Sequence, residues 1–313
     1  MKAIIIEQAG GVENLRMTDL PEPTIGENEV LVETRALGIN PADFKVRSAS
    51  EALAQVSGGE RPIILGWDIA GTVVAIGSKV SKFEVGDKVF GMVNFPNHGK
   101  AYAQFVASPE SHLAMIPEGA SFNDAAATTL AALTALQALN GRVKPGNKVL
   151  IHAGSGGVGH FAIQIAKQMG AHVVSTSSEK NRAFVLALGA DEHIDYRNQA
   201  FEVVLSDIDL AFDTVSPDIA ERSLKVLRKG GELVSLTIMG ADEELQTQAG
   251  NLGVTVTPLL VQSSGDDMDI LSNMLAEGSV KPYVSQTFDF AHLADAHTAL
   301  EGGRTIGKVV VTL

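Results

Sequence analysis

Hydrophobic positions fall into two regimes along the chain. Up to about residue 120, short β-branched runs are punctuated by Gly and Pro. Val30-Leu31-Val32-Glu33-Thr34-Arg35-Ala36 alternates in part, residues 69–77 are apolar and bounded by glycine, and 85–91 and 102–106 read as further strands. Many short strands with such punctuation predict a barrel-like or sandwich-like unit. The character changes near Ser121. Ser121-Phe122-Asn123-Asp124 reads as a helix start, and the Ala- and Leu-rich stretch to Leu139 has strong helix propensity.

From there strands and helices alternate. Strands are expected at 148–152, 172–176, 208–212 and 232–236, with helices at 157–169, 180–188 and 219–227. That order predicts a parallel sheet with crossover helices. Gly170, Gly189 and Gly230 stand where a glycine just past each helix is expected. After Val261 the pattern loosens into helices at 267–276 and 291–300 and a closing strand at 307–313, which the reading returns to the first unit.

The junction of the first parallel strand with its helix carries the chemistry. Gly154-Ser155-Gly156-Gly157-Val158-Gly159 fits G-x-G-x-x-G, and Ala153, Gly156 and Gly159 also fit A-x-x-G-x-x-G. The glycines permit a tight turn and bring backbone N–H groups, here those of Ser155, Gly156, Gly157 and Val158, up to a pyrophosphate at a helix N-terminus. A tight turn with no ligand is the competing reading. About 20 residues on, an NAD site wants a carboxylate for the ribose 2′-hydroxyl. This chain has Ser175-Thr176-Ser177-Ser178-Glu179-Lys180 instead. The hydroxyls of Ser177 and Ser178 with the cation of Lys180 suit a 2′-phosphate, so the expected cofactor is NADPH rather than NADH. Glu179 is the awkward neighbour, and solvated helix surface is the competing fate of Lys180.

Composition narrows the classes. The chain has 313 residues, 45% hydrophobic and 19% charged, as a globular protein with a sizeable core would. The net charge of −13 argues against nucleic acid and anionic membrane as partners. There is no cysteine, which excludes disulfides, thiolate catalysis and Cys-ligated zinc. The N-terminal apolar run is too short for a signal peptide and no apolar stretch reaches spanning length; the expected location is cytoplasmic.

Gly38-Ile39-Asn40-Pro41-Ala42-Asp43-Phe44-Lys45, Leu65-Gly66-Trp67-Asp68, Val85-Gly86-Asp87-Lys88-Val89, Leu133-Thr134-Ala135, Leu188-Gly189-Ala190-Asp191 and Gly307-Lys308-Val309-Val310 accompany the glycine turn in order. With them the chain resembles the zinc-independent quinone oxidoreductases of the medium-chain dehydrogenase/reductase family, related to zeta-crystallin and to plant enone reductases. The resemblance implies a Rossmann doubly wound parallel sheet at 122–262 and a β-rich GroES-like catalytic domain formed by 1–121 with 263–313. Zinc-dependent relatives have Cys where this chain has Asn40 and Gly-His-Glu where it has Gly66-Trp67-Asp68, so no catalytic zinc is expected. Trp67 is either packing or a wall of the nicotinamide pocket.

The resemblance also implies cofactor contacts. Asn40 and Lys45 would lie near the nicotinamide and its ribose, Thr134 near the pyrophosphate and Tyr196 beside the adenine ribose or the 2′-phosphate. Leu236 and Thr237 would approach the nicotinamide, and Arg304 would reach the phosphates. It further implies a homodimer through the strand at 254–261. The expected activity is NADPH-dependent reduction of a quinone or an α,β-unsaturated carbonyl. A non-catalytic NADPH-binding protein and a zinc-free reductase of another carbonyl or enoyl thioester stay open. No general acid is identifiable: the eight histidines are scattered, and only three tyrosines exist.

Overall fold

The computed structural model describes residues 1–238 and 242–313. The chain divides into two compact units, Met1–Leu133 with Val261–Leu313, and Thr134–Leu260.

The first unit opens with strands β1 (Lys2–Ile6), β2 (Arg16–Asp19) and β3 (Glu29–Ile39). The alternation in β3 is that of a half-buried strand, with Val30, Val32, Thr34 and Ala36 inward. Two helices follow, α1 (Pro41–Ser48) and α2 (Ser50–Ser57), where the sequence reading gave none. Their cause is local. Pro41 stands at the start of α1, where its missing N–H costs nothing. The Asp43 carboxylate accepts from the Asn40 N–H at 2.6 Å, half of a capping box written with Asn and Asp rather than Ser and Glu. Strands β4 (Ile63–Ile64), β5 (Asp68–Ile76), β6 (Lys88–Met92), β7 (Phe105–Pro109) and β8 (Leu113–Met115) complete the N-terminal stretch.

The helical run from Ser121 is broken in two, α3 (Phe122–Ala127) and α4 (Leu130–Leu139). Ser121 caps α3 as expected, accepting from the Asp124 N–H at 3.1 Å. The break follows from the threonines. The hydroxyls of Thr128 and Thr129 bond back to the carbonyls of Asp124 and Ala126, and the Leu130 N–H turns to the Asp68 carboxylate at 3.1 Å. A buried carboxylate thus satisfies a first-turn donor of α4. Because α3 packs on β3 and β5, the chain leaves the first unit after Leu133 rather than at 121.

In the second unit β9 (Lys148–Ile151), α5 (Gly159–Gln168), β10 (His172–Ser177), α6 (Arg182–Ala187), β11 (Glu192–Asp195), α7 (Phe201–Val204), β12 (Ile208–Asp213), α8 (Pro217–Ser223), β13 (Leu227–Ser235), α9 (Glu243–Leu252) and β14 (Thr255–Pro258) alternate. The strands are all parallel, in the order β11-β10-β9-β12-β13-β14. This is the doubly wound order, which reverses between β9 and β12 and leaves a crevice at their carboxyl ends. Leu150, Val174, Ala211 and Leu233 form the buried centre of the sheet. Helix α5 is buried over 159–166 rather than on one face. Its polar members bond within the helix and turn, His160 to the Gly156 carbonyl and Gln164 to the His160 carbonyl, both at 2.9 Å. Gly170 and Gly189 adopt positive φ just past helices, as expected; Gly230 does so inside β13 instead.

The chain then supplies α10 (Gly265–Glu277), β15 (Val284–Asp289), α11 (Leu293–Glu301) and β16 (Lys308–Thr312) to the first unit. Strand β16 pairs antiparallel with β3, Val309 opposite Ile39, within the larger sheet β15-β16-β3-β5-β6-β8. That register sets Lys308 beside Asn40. Among the described residues no helix is long and apolar enough to cross a membrane.

Candidate active site

The glycine turn lies where β9 runs into α5, at the strand ends flanking the reversal point. Its conformation is demanding: Ala153 sits at φ 50°, a left-handed value costly for a residue with a Cβ. The turn is held from the neighbouring strand. Gly154 donates to the Thr176 carbonyl at 2.9 Å, and Ala153 donates to the Thr176 hydroxyl at 3.2 Å. His152 beneath it binds the hydroxyls of Thr176 and Ser223. Burial drives the His152 pKa down to about 3, so it is a neutral structural residue.

The glycines differ in purpose. A Cβ on Gly159 would lie 2.2 Å from the Ala153 carbonyl oxygen, and one on Gly154 would lie 2.0 Å from the Ser175 hydroxyl. Those two are glycine because the protein packs against them. A Cβ on Gly156 would meet only the Ala153 oxygen, at 3.2 Å. That contact is itself close, and beyond that one oxygen the chain leaves the face clear, as a cradle for a phosphate requires.

After β10 the predicted hydroxyls separate. Ser177 is 2% exposed, and its hydroxyl contacts the Ser178 carbonyl at 3.1 Å and His193 Nε2 at 2.8 Å. Ser178 is also buried and begins a short 3-10 turn, whereas Lys180 is exposed. Asn181 Nδ2 donates to the Ser155 hydroxyl at 2.9 Å, tying this segment to the glycine turn. Tyr196 is 57% exposed, with the Arg197 guanidinium over its ring. Asn181, His193 and Arg197, which sequence reasoning did not single out, contact Ser155, Ser177 and Tyr196 respectively. Their signal was only proximity to the named residues.

At the ends of β12 and β13, Leu236 and Thr237 are organised by Asp213, which is fully buried. Its carboxylate accepts from the Ser235 hydroxyl at 2.8 Å, the Thr237 hydroxyl at 2.6 Å and the Val215 N–H at 2.9 Å. The Leu236 N–H donates to the Asp213 carbonyl. Thr134 is buried in the same unit.

The first unit holds Asn40, Lys45 and Arg304, and it does not treat them alike. Lys45 and Arg304 are exposed. Asn40 is 1% exposed and belongs to a buried polar cluster that the sequence did not reveal. Asn40 Nδ2 donates to Asp68 at 2.7 Å, and Lys308 Nζ donates to Asn40 Oδ1 and to the Ile39 carbonyl. The Lys308 ammonium lies 3.7 Å from Asp68 Oδ2, with both side chains buried. Asp43 continues the cluster. Burial and the nearby Asp68 carboxylate push its pKa up to about 7, against the pull of the Asn40 N–H and Tyr102. The Tyr102 hydroxyl meets His297 Nε2 at 2.9 Å. Burial, with a smaller contribution from the Arg47 charge, lowers the His297 pKa to about 3. Arg47 pairs with Glu301 at 2.5 Å. Trp67 is buried; its indole donates to the Asn97 carbonyl at 2.6 Å and its ring meets Phe95 edge-on.

Two family models match the chain, an alcohol dehydrogenase GroES-like domain over 26–118 and a zinc-binding dehydrogenase domain over 188–311. A 2-methylene-furan-3-one reductase of Solanum lycopersicum is 33% identical, covering 99% of this chain and 79% of its own length. A chloroplastic NADPH-dependent alkenal/one oxidoreductase of Arabidopsis thaliana matches to the same extent. Among solved structures, the quinone oxidoreductase from Coxiella burnetii superposes with a TM-score of 0.93 at 36% identity, covering 100% of this chain and 99% of its own. The Escherichia coli quinone oxidoreductase complexed with NADPH gives 0.88 at 28%, with both chains covered in full. The chain therefore belongs to the medium-chain dehydrogenase/reductase family, in its quinone oxidoreductase branch.

Proposed function

We propose that the protein is an NADPH-dependent reductase of a quinone or an α,β-unsaturated carbonyl, and that it works without zinc. The observation that carries the reading is the glycine turn with its open Gly156 face, set in a chain related over its length to reductases of that kind. NADPH would supply the hydride, and a solvent proton would complete the two-electron reduction, giving NADP⁺ and the saturated carbonyl or hydroquinone.

The second unit would bind the cofactor. Ser155, Gly157 and Val158 would present backbone donors and the α5 N-terminus to the pyrophosphate, Gly156, whose own N–H is bonded to the Ala153 carbonyl, would let it approach, and Thr134 would add a hydroxyl. Lys180 and Tyr196 would receive the 2′-phosphate, with Ser177 and Ser178 shaping the strand end. Leu236 and Thr237, fixed by Asp213, would border the nicotinamide. Asn40 and Lys45 would serve the nicotinamide and its ribose, and Arg304 the phosphates.

The donor set in the first unit does not suit zinc. An ammonium, Lys308, already donates to Asn40 Oδ1 and faces Asp68, so a divalent ion there would meet a buried like charge. A conjugated acceptor needs no Lewis acid, because its own carbonyl takes up the developing charge. The reading also carries a cytoplasmic location and a homodimer through β14, the edge strand of the parallel sheet. Light scattering in solution tests the dimer; a monomeric mass contradicts it. The function is tested by NADPH oxidation against a panel of enones and quinones. Turnover with at least one class is expected, and a silent panel would refute the reading.

A further inference from the structure

The buried cluster in the first unit contains a cation and a carboxylate that grip the two ends of one amide. Lys308 Nζ donates to Asn40 Oδ1, and Asp68 Oδ2 accepts from Asn40 Nδ2. Turned over, the amide would set its NH₂ against an ammonium and its oxygen against a carboxylate, so the two charges admit a single orientation. The same Asp68 accepts from the Leu130 N–H, and Lys308 also donates to the Ile39 carbonyl. Both grips are therefore anchored to backbone on two further elements. An Asn amide has two N–H donors; one is committed to Asp68.

We propose that Lys308 and Asp68 are positioning residues for the reduction, holding the Asn40 carboxamide in the one orientation in which its second N–H is committed to neither of them. The inference rests on the reading above, in which Asn40 serves the nicotinamide end. Lys308 contributes in a second way. Its donation to Oδ1 draws electron density from the amide, and coupled hydrogen bonds of this kind strengthen the N–H as a donor. A fixed cation thus polarises a neutral side chain at the position where zinc-dependent relatives use a metal ligand.

A double-mutant cycle in the full chain tests this. Lys308→Met and Asp68→Asn are combined, so that no buried charge is left without its partner, and placed in the Asn40 and Asn40→Ala backgrounds. Turnover is followed with NADPH and methyl vinyl ketone, and NADPH affinity by nicotinamide fluorescence. With Asn40 present, kcat is expected to fall about tenfold while the NADPH Kd moves less than about threefold. With Asn40→Ala, the paired change is expected to cost no more than about twofold further. Equal losses in the two backgrounds would overturn the positioning role and leave the reductase reading intact. No turnover by the unaltered protein would overturn that reading itself. Should the paired variant not fold, Lys308→Arg and Lys308→Gln carry the comparison. Arg, which keeps the cation, is expected to be at least about fivefold faster than Gln; equal rates would overturn the proposal.

Discussion

The glycine turn of the second unit and the buried cluster of the first solve opposite problems. The turn presents bare backbone outward: a Cβ on Gly156 would meet a single backbone oxygen, at 3.2 Å, and Lys180 and Tyr196 are exposed. The cluster turns charge inward: Lys308, Asp68 and Asp43 are all buried, Lys308 faces Asp68, and Asp43 accepts from the Asn40 N–H. A site built from backbone and helix dipole needs little from elsewhere in the fold. A buried charge network depends on every member, because a partner lost leaves a desolvated charge behind. Substitutions should therefore separate binding from folding in the turn and join them in the cluster.

The largest effect is expected where the turn ceases to be independent of the fold. Gly159→Ala forces a Cβ to 2.2 Å from a backbone oxygen and should lower Tm and abolish NADPH binding together. Gly156→Ala, by contrast, should keep Tm within about 3 °C and weaken NADPH at least tenfold, or about 1.4 kcal/mol, by titration. If both variants fold and bind alike, the division between packing glycines and a ligand glycine is wrong.

In the cluster, Lys308→Met leaves Asp68 buried beside a neutral stem. Urea unfolding should report a loss of about 3–5 kcal/mol. The combined Lys308→Met/Asp68→Asn variant should recover much of it; no recovery would mean that the ion pair is not the source of the loss.

Asp43 gives a pH signature. Its folded pKa of about 7 lies above the ordinary 3.8, so the folded protein holds a proton that the unfolded chain releases. The resulting stability is complete below about pH 3.8 and is lost as pH rises to about 7. At about 1.4 kcal/mol per unit, the loss is at most about 4 kcal/mol. Asp43→Asn should flatten this part of the unfolding profile, seen as the difference from the unaltered protein. His152 and His297, lowered to about 3, act in the opposite sense and lose stability as pH falls from 6.5 to that value. They are common to both proteins and cancel in the difference. An identical pH profile for the two would contradict the raised Asp43 pKa.

The smallest effect belongs to the exposed end of the cofactor site. Tyr196→Ala or Lys180→Ala should reduce the preference for NADPH over NADH only a few-fold, since solvent screens contacts at an exposed surface. A loss confined to NADH would contradict their assignment to the 2′-phosphate.

How much the sequence disclosed follows the same division. The turn, its flanking strand and helix, and the Ser121 cap are local patterns, legible because cause and effect lie within a few residues. The alternation of strand and helix likewise announced the parallel sheet. The break at Thr128 and Thr129 was hidden, because helix propensity continues through it and the anchoring carboxylate, Asp68, lies 62 positions away from Leu130. Asn40 and Lys308 are 268 positions apart, and only the pairing of β16 with β3 brings them together. Lys308 stood in a recognised marker segment, yet nothing local distinguished it from a surface lysine. Ser177 shows what a strand-end position leaves open: its hydroxyl contacts His193 Nε2 and the Ser178 carbonyl, neighbours that its place in the sequence did not disclose.

The central claim is most directly tested by single-turnover mixing of the chelator-treated full chain with NADPH and methyl vinyl ketone or benzoquinone. The account predicts loss of nicotinamide absorbance matched mole for mole by reduced product, at a rate unchanged by chelation. No turnover with either acceptor, or turnover abolished by the chelator and restored by zinc, would contradict it.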